Sequence, residues 1–343
     1  GISGGCVSAI LIRMPGTPAS VATLLDGFPM AQQGRAGQAL GHAVVASFFG
    51  TVISGIFLVL LAPVLANFAV KFFFADYVAV CVFALTAVAA ITGSTVSRGL
   101  LTALLGLLAA TFGISESDGL PRFDFDISAM SNGIGIIPAL VGIFAISQLM
   151  HDAVLALGKE QKFVAAKLER VLPRLTEIFS NLFNYVRSGV IGTFIGVIPA
   201  LGGGPAGMIS YAQAKNAAKD PSKFGTGAYE GVIAAETANN ATIGGALIIA
   251  LTLGIPGDPP TAVLLGGLMV HGLEPGPTLL LNYPDLVYGI YFSVFFASFT
   301  MMTILLVLMR PISRVVEVPK KILLPALFVL ATTAVFSIDY QVF

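Results

Sequence analysis

Charge is what this sequence lacks most. Only 10% of its 343 residues are Asp, Glu, Lys or Arg, where a soluble globular domain carries about 25%. So little charge excludes a fold whose surface mostly faces water. The charges present cancel to a formal net charge of 0, which argues against nucleic acid or another polyanion as partner. The two cysteines, Cys6 and Cys81, sit in apolar or glycine-rich sequence with no metal-ligand spacing, and both read as small buried hydrophobes. The three histidines, His42, His151 and His271, are widely separated. They form neither a nucleophile–base constellation nor a metal cluster, so the chain reads as a non-enzyme without a metal site. An initiating Met is missing too: the chain begins at Gly1 inside a glycine-rich motif. It reads as a fragment, and its lack of a signal peptide carries no information.

What is abundant is apolar sequence, 56% of residues, with a mean hydropathy of +0.90. Uncharged stretches long enough to cross a bilayer, roughly 20 residues each, occur at residues 42–70, 78–97, 99–115, 127–150, 286–309 and 322–338. Three further stretches, 188–214, 237–257 and 259–273, are apolar but interrupted by Gly, Pro, Asn or Thr. The expectation is an all-α, polytopic membrane protein. If the clear spans alternate, Arg35, Arg98, Lys159, Lys162, Lys167, Arg170, Arg174, Arg310, Arg314, Lys320 and Lys321 fall on one side, the cytoplasmic one. The mainly acidic loop 115–126 falls on the other, with Arg122 and Lys71 as the basic exceptions. Residues 151–187 mix Lys and Arg with Val, Leu and Phe, and read as an amphipathic helix along the inner surface.

One phrase occurs twice. Residues 12–31 read IRMPGTPASVATLLDGFPMA, and residues 254–270 read GIPGDPPTAVLLGGLMV. Each carries Pro-Gly, a second Pro two residues on, a hydroxyl residue and an apolar run, and each follows a glycine pair, Gly4-Gly5 or Gly244-Gly245. Arg35 follows the first copy, whereas no Lys or Arg follows the second until Arg310. The copies are therefore expected to run in opposite directions, as inverted repeats with broken helices do around a secondary transporter's binding site. The domain division that follows is 1–150 as a first, N-terminally truncated half, 151–187 as a cytoplasmic connector, and 188–343 as the second half.

The breaks carry a chemistry. A helix starting after Pro15-Gly16 or Pro256-Gly257 presents free N–H groups and a positive dipole end to a carboxylate. Thr17 and Ser20 add hydroxyls, while Asp26 and Asp258 lie nearby. RSGVIGTFIGVIPALGGGPAG, residues 187–207, reads as a hairpin turning back at 199–204, with Gly203 in its tip. In EGVIAAETANNATIGGA, residues 230–246, the polar side chains of Asn239, Asn240 and Thr242 are costly within a membrane unless they find partners. They are expected to line a cavity and leave some hydrogen bonds to water, ion or substrate. Glu236, and less so Glu230, are candidates to carry a proton or help bind a cation. Because no Lys or Arg occurs from residue 224 to 309, fixed positive charge around the second copy must come from backbone dipoles.

MPGTPASVATLLDGFPMA, IGVIPALGGG, KFGTGAYEGVIAAETANNATIGGA and LGIPGDPPTAVLLGGLMVHGLEPGP together resemble the large membrane subunit (TctA-type) of the tripartite tricarboxylate transporters, over essentially the whole chain. The resemblance implies uptake of a carboxylate, a tricarboxylate or related organic acid, through a bacterial inner membrane. Its partners would be a small membrane subunit and an extracytoplasmic solute-binding protein. The driving force would be a gradient of Na+ or H+, with no other cofactor. Ala235 stands where the family usually has Pro, Ala200 where it has Gly, and Arg13 where it has Asn. A stand-alone carrier without a binding protein is the alternative. A channel would favour a continuous polar lining, which these clustered polar residues do not provide.

Overall fold

Inside a bilayer each segment must satisfy its own backbone N–H and C=O groups, so long uncharged runs fold as helices. The computed structural model describes residues 2–13, 16–73, 96–114, 120–123, 133–135, 138–139, 141–156, 170–199, 201–315 and 320–339, and positions 75, 76, 78, 79, 82 and 86. Its α-helices are α1 (Gly5–Ile12), α2 (Leu24–Gln32), α3 (Ala36–Ala69), α4 (Val96–Ala110), α5 (Ser147–Ala156), α6 (Leu175–Ser180), α7 (Leu182–Gly196), α8 (Gly203–Ala217), α9 (Tyr229–Leu253), α10 (Pro259–Val270), α11 (Leu279–Asn282), α12 (Pro284–Val315) and α13 (Lys320–Asp339). Among the described residues the strands are two residues long, β1 (Gly113–Ile114) and β2 (Pro121–Arg122), paired antiparallel. The all-α expectation holds.

Helices α3, α9 and α12 are long and apolar enough to cross a membrane. They answer to the expected spans at 42–70, 237–257 and 286–309, although α9 starts earlier, so that Glu230 and Glu236 lie within it. Most of the expected span at 78–97, much of 127–150, both flanks of the acidic loop (115–119 and 124–126) and connector residues 157–169 lie outside the described residues. So do Cys81 and Pro15. The described end of the connector is not one amphipathic helix. Residues 170–174 are non-helical around Pro173, and α6 starts only at Leu175. A Pro disfavours helix in the residue before it.

The chain forms two compact units, each drawing on both sequence halves. One comprises Gly1–Phe72, Gln161–Thr261 and Leu273–Glu317; the other comprises Phe73–Glu160, Ala262–Gly272 and Val318–Phe343. In the second unit α13 packs on α5, and Phe112 and Phe123 rings meet beside the small β pair at 5.5 Å.

The first unit is built around α9. Helices α3, α7 and α8 pack against it, and glycines let their backbones touch. A Cβ at Gly50 of α3 would overlap the Thr237 carbonyl; at Gly192 and Gly196 of α7 it would overlap the backbone of Ala238 and Thr242. From the α9 side, Gly244 abuts Ser54 and Gly245 abuts Thr193. Small residues at crossings are how helices gain dispersion contact where lipid supplies no hydrophobic drive. Cys6 and Ile10 of α1, Met30 of α2, Leu40 and Val44 of α3, Val232 of α9 and Met309 of α12 close an apolar cluster. The expected hairpin is α7–α8, whose helices end at Gly196 and restart at Gly203 after Gly202, which takes φ +63°.

Candidate functional site

The two Pro-Gly phrases have matching geometry. Helix α1 ends on Arg13 in the left-handed region, φ 55°, and α9 ends on Gly254, φ 72°. Three residues on, Gly16 folds back on Gly5, and Gly257 on Ala246. The Gly16 N–H donates to the Gly5 carbonyl at 3.4 Å. Ser20 Oγ then accepts the Thr17 N–H at 3.3 Å and donates to the Thr17 carbonyl at 2.9 Å. Thr261 Oγ1 does the same with Asp258, at 3.0 and 2.9 Å. This register sets Gly5 opposite Ala246, one residue off the pairing of Gly4-Gly5 with Gly244-Gly245 suggested by the sequence. The copies then diverge. After Pro259, α10 runs unbroken to Val270, whereas the turn Pro18–Ser20 gives way to a second break before α2.

Several candidate residues serve the fold. Asp26 is fully buried and its carboxylate is saturated. Oδ1 accepts the N–H groups of Gly225, Gly227 and Ala228 at 2.8, 2.8 and 2.9 Å, and Oδ2 accepts the Tyr211 hydroxyl at 2.9 Å. Asp26 thus clamps the loop that leads into α9. Asp258 caps α10, its Oδ1 accepting the Thr261 N–H at 2.9 Å. Gly244, Gly245 and Gly257 are backbone contacts, and a Cβ on Gly257 would meet Ala246 at 2.6 Å and the Gly196 carbonyl at 3.1 Å. Pro256 beside it is exposed. Thr242 donates to the Asn239 carbonyl of its own helix at 2.7 Å.

Asn240 differs from expectation. Its amide is met wholly within the protein: Oδ1 accepts from Ser3 at 2.9 Å, and Nδ2 donates to Ser47 Oγ at 2.9 Å and the Glu236 carbonyl at 3.0 Å. It is an interhelical connector. Glu236 belongs to the same network. Thr23 donates to its Oε1, and Ser47 and Asn240 approach Oε2 at 3.5 and 3.4 Å. Sequence reading passed over Thr23, Ser47, Ser3 and Tyr211. The available signal was a lone hydroxyl within an apolar run, as at Ser47 in AVVASFFG.

Asn239 is the exception among the buried amides. It is 0% exposed, and neither Oδ1 nor Nδ2 has a hydrogen-bond partner. It lies near the Glu236 carboxylate one turn earlier without a well-formed hydrogen bond to it. Its amide is aimed at Gly203, where any Cβ would overlap Oδ1. Gly203 opens α8, whose N-cap Gly202 supplies no side-chain bond. Pro205 has no N–H, so Gly203 and Gly204 hold the free donors of that first turn. Copy one closes the other side. Ala19 Cβ lies 3.0 Å and the Pro18 carbonyl 3.2 Å from the positions a Cβ would take on Gly203 and Gly204. Thr17 Oγ1 is also buried without a partner. A helix N-terminus with free N–H groups beside an unpaired amide is equipped to hold an anion through dipoles alone. Arg13 takes no part in this arrangement; it is exposed, its guanidinium 5.6 Å from the centre of the Phe28 ring.

The sequence profile of the tripartite tricarboxylate transporter TctA family matches residues 1–343. The chain is 33% identical over 341 residues to an uncharacterized 52.8 kDa protein in the TAR-I ttuC′ 3′ region of Agrobacterium vitis; the match covers 99% of this chain and 67% of that protein. It is 35% identical over 152 residues to an uncharacterized protein in the TAR-II ttuC′ 3′ region of the same organism, covering 44% of this chain and 63% of that one. No solved structure matches it significantly.

Proposed function

The chain belongs to the tripartite tricarboxylate transporter TctA family, a family of membrane transport components, and from that premise we propose that it imports a carboxylate across a bacterial inner membrane. In this reading it works with a small membrane subunit and an extracytoplasmic solute-binding protein, and a cation gradient supplies the energy. The observation that carries the reading is Asn239, a fully buried amide without partners, aimed at the uncapped start of α8. An unpaired amide in an apolar setting costs roughly 2–7 kcal/mol. Oδ1 is the atom that faces Gly203; with the unpaired amide turned over, a ligand that accepts from Nδ2 and from the Gly203 and Gly204 N–H groups would remove that cost. A carboxylate has the charge and the lone pairs to do so. The absence of Lys and Arg from residue 224 to 309 supports recognition by dipoles.

The test is uptake of labelled acetate, succinate and citrate by the complete transporter. Asn239→Ala is expected to lower uptake of the transported acid about tenfold, the worth of a hydrogen bond to a charged group, with membrane insertion unchanged. Arg13→Gln, away from the site, should stay within about twofold, as for an exposed charge. The reverse order would show that a side-chain cation, and not the α8 terminus, holds the carboxylate.

A further inference from the structure

The substrate site leaves Glu236 unexplained. Its carboxylate is fully buried in a helix with the length and hydropathy of a membrane span. Among the described residues no Lys, Arg or His pairs with it; the single ion pair found joins His42 and Glu177, at 3.5 Å. Thr23, Ser47, Asn239 and Asn240 surround it instead, one from the broken segment of copy one, one from α3 and two from α9 itself. Ionisable groups within a membrane are costly and mark ion or proton paths.

The neighbours decide which cation fits. Asn240 cannot turn its oxygen toward Glu236, because its Nδ2 also donates to the Glu236 backbone carbonyl at 3.0 Å, and a carbonyl only accepts. It therefore shows the carboxylate N–H groups, which repel a metal ion. The Thr23 and Ser47 hydroxyls can rotate. They donate to an ionised carboxylate, and they accept from a protonated one. Such a site accommodates Glu236 with or without a proton.

Other titratable groups on the packed helices are engaged elsewhere or carry no positive charge. Asp26 of α2 is held by the loop amides and by Tyr211 of α8, and His42 of α3 stacks on Tyr229 with ring centres 4.7 Å apart. Arg187 of α7 donates to Asn184 at 2.7 Å. Glu230 is the other carboxylate of α9, in its first turn. The Cys6 thiol of α1, the one group facing the carboxylate, donates to the Ser3 carbonyl at 3.0 Å.

We propose that Glu236 carries the coupling proton: the carboxylate takes up H+ from the outer side as substrate is bound and gives it up to the cytoplasm as substrate leaves. Resting on the transport reading above, this deepens it. The proposal also explains how the two events are joined. One short segment, residues 17–23, touches the start of α8 through Pro18 and Ala19 and the carboxylate through Thr23. Asn239 stands one turn beyond Glu236 on the same helix. A shift of that segment on binding the acid must disturb the proton site.

The complete transporter in liposomes gives the test, with acetate, succinate and citrate as probes. Two quantities are read: net uptake under an imposed pH gradient, and exchange of internal for external acid without a gradient. Glu236→Gln, which resembles the protonated acid, is expected to cut net uptake by about tenfold or more while exchange stays within about twofold, since exchange requires no net release of the proton. Glu236→Asp should restore part of the net uptake. The proposal is overturned if Glu236→Gln accumulates acid like the wild type, or if it loses exchange as well. A wild type that responds to a Na+ gradient and not to a pH gradient also overturns it. A wild type that neither accumulates nor exchanges any of the three acids would instead refute the transport reading itself.

Discussion

Helices α9 and α12 are both long enough to cross a membrane, yet they are opposites. The most apolar window of α9 has a mean hydropathy of 1.2 and is 94% buried; that of α12 has 2.2 and is 11% buried. In a water-soluble protein burial rises with hydropathy, because water is what apolar surface escapes. Here the order is reversed. Phe292, Phe296 and Val307 of α12 are exposed, which costs nothing when the solvent is lipid. Glu236, Asn239, Asn240 and Thr242 of α9 are buried, because lipid would leave them unpaired. The polar helix goes to the centre, and its glycines and its neighbours' glycines allow backbone to replace side chain in the packing.

That contrast is open to direct attack. The largest effect is expected from Gly196→Val on α7, where a Cβ would come within 2.7 Å of the Thr242 Cα in α9. Neither backbone can yield locally, so folded protein recovered in detergent should fall sharply, with a loss of about 3 kcal/mol or more. Gly289→Ala on α12 meets nothing within 4 Å and should stabilise slightly, by about 0.5–1 kcal/mol of helix propensity. Equal losses at the two positions would abolish the distinction between centre and periphery.

The second probe is the entry to α9. Asp26→Asn keeps the shape of the clamp but removes the charge that three loop N–H groups share. A hydrogen bond to a charged group is worth about 1.5–3 kcal/mol, so a loss of stability of that order is expected, read as a lower melting temperature. Hydrogen exchange at residues 225–228 should rise, and exchange in α12 should not change.

The smallest effect is at the helix ends. Arg13 holds a left-handed conformation that its counterpart Gly254 adopts without a Cβ penalty. Arg13→Gly should therefore gain about 1 kcal/mol and Gly254→Ala lose at least as much, since its Cβ would also meet the Pro275 carbonyl at 2.8 Å, read as opposite shifts in thermal unfolding. Shifts of the same sign would mean that the two breaks are not structural equivalents.

Much of this was legible in the residues. The apolar runs gave α3 and α12, and the glycine-rich tip of residues 187–207 gave the α7–α8 hairpin. The doubled Pro-Gly phrase gave two helix breaks, which share capping by Ser20 and Thr261. Less legible was which of two adjacent amides would be free. Asn239 and Asn240 are identical in type and flanked by alanines, but a helix turns about 100° between them. One therefore meets Ser47 and Ser3, and the other lies between Gly203 and the Glu236 side chain. Asp26 was equally opaque, since the amides that saturate it come from residues 225, 227 and 228.

The sequence by itself determined the solvent of this protein. A chain with 10% charge and a mean hydropathy of +0.90 has too little polar surface for water, and lipid leaves it only helices with internally satisfied backbones. It also determined where those helices break, because Pro and Gly act locally. Tertiary structure alone decided which polar groups are paired. Thr23, Ser47 and Glu236 are scattered along the chain, and whether a buried hydroxyl or carboxylate is satisfied depends on atoms within about 3.5 Å, a distance that sequence separation does not encode.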